Sequence, residues 1–283
     1  MKKIQLLVCA HKYDVNTRNG GIYTAIQVGK DLNLDLDLGY VNDNTGDNIS
    51  DKNPNYCELT ALFWGWKNIR DVEYFGLCHY RRYFNIDIRP DNIDKIINGY
   101  EMLVIDNGKC LSRHERANNL MLQTSQEDYY LFADTFLSMY PQYKDAFWTY
   151  FYDSKDSYPF QMFIAKKSLY DDYCSFMFPV LFELEKKLKA HGYTRQKRTM
   201  GYIGEWFLGL YIYCKKIKVK QVPLMMCQDN KVNQSKTQIV KSVIRRIAYR
   251  LVDIVHRPSK KIVIPDPVMV GFKNDRIQLN YFH

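Results

Sequence analysis

Strand-length apolar runs alternate along this sequence with longer stretches that carry apolar residues at helical spacing, and this alternation constrains the fold most. The apolar runs occupy residues 3–9, 74–78, 101–105 and 160–165, and a further strand is predicted at residues 218–223. The stretches of helical period occupy residues 56–67, 91–98, 126–151, 169–189 and 206–215. Alternating strands and helices predict a mostly parallel sheet with helices on both faces. The expected fold class is therefore α/β, with a single Rossmann-like domain.

The chain's length and residue usage fit one large domain. Its 283 residues are 46% hydrophobic and 25% charged, which is ordinary for a soluble globular protein. No apolar stretch reaches the ~20 residues of a transmembrane helix, and the first apolar run is too short for a signal peptide. The seven cysteines are dispersed without a C-x-x-C pair, which favours reduced thiols in the cytoplasm and no zinc site.

An excess of positive charge indicates an anionic partner. The net charge of +9 fits nucleic acid, an acidic membrane surface or a phosphorylated substrate. The 23 tyrosines and 15 phenylalanines suit the binding of sugars or bases, although the codon usage of an AT-rich genome explains them equally well. Nucleic acid is disfavoured because the sequence has no helix-turn-helix, zinc-finger or RNP-like pattern.

Polar clusters directly follow three of the predicted strands, at residues 9–12, 79–82 and 106–107. In open α/β sheets, ligands bind at the carboxyl ends of the strands. The second cluster places Arg81 and Arg82 just after a buried strand, where uncompensated charge is costly. Either the two arginines hold an anionic ligand, or they pair with carboxylates of their own domain.

Glu205 is the candidate for proton transfer. It lies in the glycine-containing turn 201–205, before the helix predicted for residues 206–215. A carboxylate at the start of a helix gains from the helix dipole and stays ionised near neutral pH, which suits a general base. The alternative is that Glu205 only caps its own helix or forms a salt bridge within it.

Several segments together carry a family resemblance. They are residues 26–29, 45–50, 52–62 (KNPNYCELTAL), 76–84 (GLCHYRRYF), 158–164 and 201–205. Over roughly residues 3–226 the chain resembles the capsular-polysaccharide and O-antigen galactofuranosyltransferases, a family long carried as a domain of unknown function. The resemblance implies a GT-A-like fold. It also implies inverting transfer of galactofuranose from UDP-galactofuranose to a hydroxyl of a lipid-linked glycan, in the synthesis of capsule, exopolysaccharide or O-antigen.

The resemblance also implies roles for individual residues. Glu205 falls where inverting GT-A enzymes carry their catalytic carboxylate. The expected donor-binding residues are His11, Lys12, Asp47, Asn48, Asn55, Glu58, His79, Tyr80, Arg81 and Arg82. A loop-and-cap role explains Asn55 almost as well. The expected acceptor platform consists of Tyr158, Phe160 and Trp206, although aromatic residues at such positions are equally common in a core.

The end of strand 74–78 bears on the use of a metal. Most GT-A enzymes have an Asp-x-Asp there that holds a divalent ion on the donor pyrophosphate, whereas this chain has His79-Tyr80-Arg81. These side chains and Arg82 can supply hydrogen-bond donors and positive charge to the departing UDP. We therefore expect no metal cofactor. The alternative that a divalent ion is bound by other residues stays open.

The C-terminal part lies outside the resemblance. Residues 1–230 are the predicted catalytic domain, and residues 231–283 are a predicted basic amphipathic helix and appended tail. One face of the helix predicted for residues 237–257 carries Val240, Val243, Ile244, Ile247, Leu251 and Ile254, and lysines and arginines populate the rest. Such a helix can lie on an anionic membrane, or dock on the catalytic domain or on a second copy of the chain.

The membrane is favoured because a polyprenyl-diphosphate-linked acceptor is found there. The expected location is therefore cytoplasmic, peripheral to the inner face of a bacterial cell membrane. Other functions stay open: transfer from a UDP-sugar with a pyranose ring, sugar-phosphate transfer that releases UMP, and nucleic-acid binding. The acceptor sugar, the linkage and the oligomeric state, a homo-oligomer included, also stay open.

Overall fold

The computed structural model describes residues 1–106, 108–110, 112–113, 115–191, 197–227, 244, 247–249, 251, 253–255 and 261–282. The chain divides into two compact units. The first unit consists of Met1–Asn107, Tyr158–Phe182 and Gln196–Cys227. The second consists of Gly108–Ser157, Glu183–Arg195 and Gln228–His283.

The strands belong to the first unit and form one sheet. They are β1 Lys2–Ala10, β2 Tyr23–Gln27, β3 Val41–Asn42, β4 Val72–His79, β5 Arg82–Phe84, β6 Met102–Asp106, β7 Phe163–Lys166 and β8 Val219–Met226. Their order across the sheet is β3-β2-β1-β4-β5-β8-β6-β7, and β7 also pairs with β4. The second pairing of β7 closes β4, β5, β8, β6 and β7 into a small barrel.

The sheet is mixed, so the prediction of a mostly parallel sheet is wrong. The parallel pairs are β1–β2, β2–β3, β1–β4 and β6–β8, and the antiparallel pairs are β4–β5, β4–β7, β5–β8 and β6–β7. One cause is the short turn between β4 and β5, which sets His79 opposite Arg82. A connection of two residues permits only antiparallel pairing. The second half of this sheet therefore departs from a Rossmann-like pattern.

A glycine makes the closure of the barrel possible. Gly76 on β4 lies opposite Ile164 on β7, and a Cβ atom at Gly76 would overlap the carbonyl oxygen of Phe163. Only a residue without a side chain lets the two backbones approach this closely. Inside the barrel and against β1, apolar side chains such as Leu6, Leu103 and Ile164 are fully buried.

The helices, in chain order, are α1 Asn53–Tyr56, α2 Leu59–Asn68, α3 Ile93–Ile97, α4 Glu115–Gln123, α5 Gln126–Met139, α6 Lys144–Trp148, α7 Lys167–His191, α8 Thr199–Lys215 and α9 Asp266–Asn274. Short 3-10 turns occur at Lys30–Leu32, Ser50–Lys52 and Pro141–Tyr143, and a π-helical turn at Thr149–Asp153. The helix predicted for residues 56–67 is interrupted at Cys57, which separates α1 from α2 with φ of 53°. Helix α7 continues through Pro179.

The second unit incorporates the C-terminal residues into its own core. Val268 and Phe272 on α9 are buried, and the buried carboxylate of Asp134 on α5 accepts hydrogen bonds from the backbone N–H groups of Asn280, Tyr281 and Phe282. These contacts hold the last described residues against α5, and the predicted division into a catalytic domain and a C-terminal helix and tail stays a prediction. The predicted domain boundary at residue 230 falls outside the described residues and stays a prediction.

The predicted amphipathic helix, residues 237–257, lies largely outside the described residues. Its described members, 244, 247–249, 251 and 253–255, are helical. Among them Ile244, Leu251 and Ile254 are 61%, 56% and 76% exposed. Within the part of the chain that the structure describes, no helix is long and apolar enough to cross a membrane.

Candidate active site

Close packing of helix α8 against residues 55–59 builds the candidate site. A Cβ atom at Gly201 would lie 2.9 Å from the Cys57 sulfur, and one at Gly204 would lie 2.7 Å from a methyl carbon of Leu59. The two glycines are three positions apart and therefore share one helix face. Because neither has a side chain, this face of α8 can rest directly on the segment that carries Glu58, and Glu205 on the same helix is brought into its neighbourhood.

Hydrogen bonds fix this contact. The side-chain oxygen of Asn55 accepts the backbone N–H of Met200 at 3.0 Å, so Asn55 caps the first turn of α8 from another segment. The Nε of Arg198 donates to the sulfur of Cys57 at 3.0 Å. The predicted cap differs: Asn55 lies within α1 and caps α8, not the helix that follows it in the sequence. A donor-binding role for Asn55 stays a prediction.

Backbone strain concentrates around this contact. Cys57, Phe160 and Gln161 have positive φ angles of 53°, 68° and 55°, which are costly for residues with a side chain and recur at functional sites. The Gln161 side chain donates to the carbonyl of Gly204 and accepts from the hydroxyl of Tyr173 at 2.7 Å. The strained turn at residues 160–161 is therefore tied directly to α8, next to Glu205.

Glu205 lies in the second turn of α8, because the helix begins at Thr199 and not at Trp206. Burial, and after it the negative charge of Glu58, raise the pKa of Glu205 to about 7, although the positive charges of Arg82 and Arg198 act in the opposite direction. The expectation that the helix dipole keeps Glu205 ionised near neutral pH fails, because Glu205 lies beyond the first turn of α8. A pKa near 7 is nevertheless better suited to general base catalysis, because the group both accepts and releases a proton at neutral pH.

Glu58 is the second carboxyl group of the site. It is half-buried and immediately precedes α2. Burial raises its pKa, and Arg198 and Arg82 act in the opposite direction. Two carboxyl groups and two guanidinium groups thus share one partly desolvated region, where like charges disfavour ionisation of both carboxyls at once.

The adjacent arginines differ in their partners. Arg81 forms an ion pair with the buried carboxylate of Asp14 through its Nε and a terminal nitrogen, at 2.6 and 2.5 Å. The guanidinium of Arg82 lies 4.3 Å from the centre of the Phe160 ring and acts on the charges of both Glu58 and Glu205. The two alternatives were an anionic ligand and pairing with carboxylates of the same domain. Pairing within the domain holds for Arg81, whereas Arg82 packs on Phe160 and its charge acts to lower the pKa values of Glu58 and Glu205.

Of the predicted hydrogen-bond donors and positive charges at the end of β4, His79 is a donor without charge, and its role in donor binding stays a prediction. Its Nε2 lies 2.6 Å from the carbonyl oxygen of Phe160, and burial lowers its pKa to about 4. At neutral pH the ring is therefore uncharged. Because a carbonyl oxygen only accepts, Nε2 carries the proton and donates it. His79 thus anchors the strained turn at residues 160–161 to the end of β4.

Arg198 is a cation that the sequence pattern did not reveal. Besides its contact with Cys57, its charge acts on Glu58, on Glu205 and on His11, whose pKa is lowered by partial desolvation, by Lys12 and by Arg198. His11 and Lys12 are exposed. The His11 ring meets the ring of Tyr80 edge to face, with 5.4 Å between their centres. Two of the predicted donor-binding residues at the ends of β1 and β4 thus lie side by side.

Other predicted residues have local roles in the structure. Asn48 donates to the carbonyl of Gly46 and accepts the N–H of Ser50, so its side chain shapes its own loop. Asp47 is exposed, and its backbone carbonyl accepts from Asn68. Among the aromatic residues proposed for the acceptor, Phe160 and Trp206 are partly exposed, but Tyr158 is only 6% exposed and presents little surface to a sugar.

Comparison with known protein families identifies the family of this chain. Residues 5–216 match the family described as Domain of unknown function (DUF4422). The chain belongs to this family. The match spans every residue of the site described above, from His11 to Glu205.

A solved structure extends the comparison. The apo structure of the bifunctional glycosyltransferase WbbM is similar to this chain, with a TM-score of 0.69 and 27% sequence identity over 83% of the chain. This chain spans about half the length of that protein, 48%. No curated protein matches the sequence. The mixed α/β fold is therefore shared with a protein described as a glycosyltransferase.

Proposed function

We propose that this protein is an inverting glycosyltransferase that transfers galactofuranose from UDP-galactofuranose to a hydroxyl of a lipid-linked bacterial glycan. The observation that carries the proposal is the position of Glu205 on α8, where this helix packs on residues 55–59; its pKa is raised to about 7, and the charges of Arg82 and Arg198 act on it. A proton acceptor next to two fixed cations suits a reaction in which one oxygen loses a proton and another gains negative charge.

The chemistry follows from these charges. Glu205 takes the proton of the acceptor hydroxyl while its oxygen forms a bond to the anomeric carbon of the donor. The bond between that carbon and the diphosphate breaks on the opposite face, and its electron pair leaves with UDP. Arg82 and Arg198 stabilise the charge on the diphosphate. Inversion of the α-configured donor gives a β-linked product.

Metal independence is part of the proposal. Glu58 and Glu205 both have raised pKa values and share their surroundings with two arginines. Divalent cations prefer ionised oxygen ligands free of competing positive charge, so this set of donors fits an anion and a mobile proton better than Mg²⁺ or Mn²⁺. The site therefore stabilises the leaving group through arginine.

The choice of donor and acceptor is supported by the family resemblance. A furanose ring carries an exocyclic diol, and a pocket that hydrogen-bonds this diol leaves polar groups unpaired when a pyranose binds. The proposal is tested by incubating the protein with UDP-galactofuranose, formed in place by a mutase, and a synthetic lipid-linked acceptor. UDP and a β-galactofuranoside are the expected products. Efficient transfer from UDP-galactopyranose or UDP-glucose without mutase would reject the donor and leave glycosyl transfer standing, whereas release of UMP would indicate sugar-phosphate transfer.

Peripheral binding to an anionic membrane belongs to the same proposal. It is supported by the exposure of Leu251 and Ile254 and by the lysines and arginines between residues 237 and 261. A double variant, L251D with I254D, is expected to lose pelleting with phosphatidylglycerol vesicles. Val270 on α9 is 55% exposed, so V270D is a matched control that should keep it. Equal pelleting of both variants would reject the membrane site.

A further inference from the structure

Two residues that face each other across the β4–β5 pair contact the same aromatic residue. His79 lies opposite Arg82 in the antiparallel register, and the side chains of directly opposite residues lie on the same face of a sheet. The Nε2 atom of His79 donates to the carbonyl oxygen of Phe160 at 2.6 Å. The guanidinium carbon of Arg82 lies over the Phe160 ring, 4.3 Å from its centre. Phe160 is therefore contacted through its backbone by the end of β4 and through its ring by the start of β5.

The turn that carries the Phe160 ring is fixed by its own contacts. Phe160 and Gln161 have φ angles of 68° and 55°, which residues with a side chain keep only where the surroundings hold them. The fully buried side chain of Gln161 accepts from the hydroxyl of Tyr173 on α7 at 2.7 Å and donates to the carbonyl of Gly204 on α8. Phe160 itself packs against the apolar core of the barrel. The ring that meets Arg82 is thus held by β4, α7 and α8.

The contact of Arg82 differs in kind from that of its neighbour. Arg81 directs its Nε and a terminal nitrogen at the carboxylate of Asp14, so part of its donor edge is occupied. An aromatic ring attracts a cation through the negative charge of its face and supplies no acceptor oxygen. The guanidinium of Arg82 therefore keeps its N–H donors for an anionic ligand while the ring restricts its position.

We propose that Phe160 is a positioning residue, whose ring holds the Arg82 guanidinium where it receives the diphosphate of the donor. The inference rests on the proposed function, in which Arg82 stabilises the departing UDP. An unrestrained arginine side chain loses rotamer freedom when it binds a ligand, and a guanidinium already held by a ring loses less. Such pre-organisation strengthens the binding of the diphosphate without any contact between Phe160 and the donor.

This role differs from the acceptor-binding role predicted for Phe160, which stays a prediction. A platform for a sugar acts on the acceptor alone, and it does so whether or not residue 82 is an arginine. A positioning role acts through Arg82 and disappears when Arg82 is removed. The affinity for UDP separates the two roles, because UDP contains no part of the acceptor.

The test is a double-mutant cycle on the dissociation constant of UDP, measured by titration calorimetry for the wild type, F160L, R82A and the double variant. Leucine, like phenylalanine, is unbranched at Cβ, so F160L removes the ring without adding strain at positive φ. F160L should weaken UDP binding roughly tenfold, on the scale of a desolvated cation–π contact. In the R82A background the same change should cost less than about twofold, because the two residues act as a unit.

Two further variants control for the loss of a ring. F160Y keeps the aromatic face and should bind UDP like the wild type, whereas a role in filling space alone predicts no difference between F160Y and F160L. Trp66 on α2 supplies the matched control, since the ammonium of Lys67 lies over its ring at 3.7 Å. W66L removes this second cation–π pair and should leave the affinity for UDP unchanged.

A measurement without ligand tests the contact itself. The ring current of Phe160 should shift the Nε–H proton of Arg82 upfield in ¹H–¹⁵N spectra, and R82K identifies this resonance by its loss. F160L should move the resonance to the position of an exposed arginine. F160Y should leave it where it is in the wild type.

The outcomes separate the two proposals. Equal losses from F160L in the wild-type and R82A backgrounds overturn the inference, and so does an Arg82 Nε–H resonance that F160L leaves unshifted. If F160L does not fold, pentafluorophenylalanine at position 160 keeps the shape of the ring and reverses the charge of its face, and an unchanged affinity for UDP then overturns the inference. If the Arg82 resonance moves as expected but the wild type binds no UDP and turns over no UDP-sugar, the contact stands and the proposed function fails.

Discussion

Asp134 in the second unit and Glu205 in the first are both acidic side chains removed from water, yet the groups that surround them differ. Asp134 is fully buried and accepts backbone N–H groups of Asn280, Tyr281 and Phe282 at 2.7 to 3.2 Å. The ammonium group of Lys187 lies 3.2 Å away. Glu205 instead faces the negative charge of Glu58, and its pKa rises to about 7.

The different surroundings indicate a structural role for Asp134 and a chemical role for Glu205. A buried carboxylate whose lone pairs all meet donors stabilises the fold, here by fixing the C-terminal segment to α5. A carboxyl group whose burial is only partly compensated holds its proton loosely at neutral pH, and such groups concentrate at functional sites. An acidic side chain therefore stabilises the fold in the second unit and is available for proton transfer in the first. Mutation of each residue tests this contrast.

The largest expected effect is on stability. D134A leaves three backbone N–H groups and the Lys187 ammonium without their acceptor, and breaking a buried charge pair of this kind costs about 3–5 kcal/mol. The midpoint of chemical denaturation should drop accordingly. Truncation at residue 237 should act in the same direction, because it removes Val268, Phe272 and the segment that Asp134 holds.

E205Q should behave in the opposite way. The pKa of Glu205 is raised in the folded protein, so the folded state loses stability as pH rises from the ordinary value of 4.5 through about 7. A neutral glutamine avoids that loss. At pH 8 the denaturation midpoint of E205Q should therefore equal or exceed that of the wild type. A drop as large as that of D134A would show that Glu205 is a structural carboxylate like Asp134.

The next effect concerns the leaving group. The charge of Arg82 acts on both carboxyl groups, whereas Arg81 is paired with Asp14. R82A should therefore reduce turnover about 100-fold, the scale of losing one transition-state donor. R81A should reduce it less, and excess EDTA should leave it unchanged. Complete inhibition by EDTA that Mg²⁺ or Mn²⁺ reverses would contradict the arginine-based site.

The smallest effect tests the packing under the site. G204A places a methyl group 2.7 Å from a methyl carbon of Leu59, and such overpacking costs about 1–3 kcal/mol. Gly271 in α9 is the matched control, because a Cβ atom there meets nothing within 4 Å. G271A should therefore stabilise the protein by up to about 1 kcal/mol through helix propensity. Equal effects of the two changes would mean that α8 does not depend on a close approach at Gly204.

The sequence carried enough information to find the strands that position the site. The runs that became β1, β4, β6 and β7 are mostly apolar and continuous, as buried strands are, whereas β8 is only partly apolar. The short strand β5 could not be found, because Arg82, Tyr83 and Phe84 follow a turn that the pattern did not mark. Because β5 was missed, hydrophobic periodicity could not predict the antiparallel half of the sheet or the small barrel.

The site was predictable only in part. Glu205 and Glu58 both appeared in the candidate set, but their pairing depends on a contact across more than a hundred positions, which local patterns do not encode. Arg198 was missed because it lies outside the resemblance segments and gains meaning only beside Cys57. The spacing of Gly201 and Gly204 was a usable signal, since two glycines on one helix face indicate a close approach.

The central claim is that Glu205 is the base of a sugar transfer, and a pH profile of turnover for wild type and E205Q tests it most directly. With UDP-galactofuranose and a lipid-linked acceptor, the wild-type rate should fall below about pH 7, where Glu205 becomes protonated. E205Q should be at least ~100-fold slower at pH 8, and its residual rate should show no such decline near pH 7. Turnover like that of the wild type in E205Q, with the same decline, would contradict the claim.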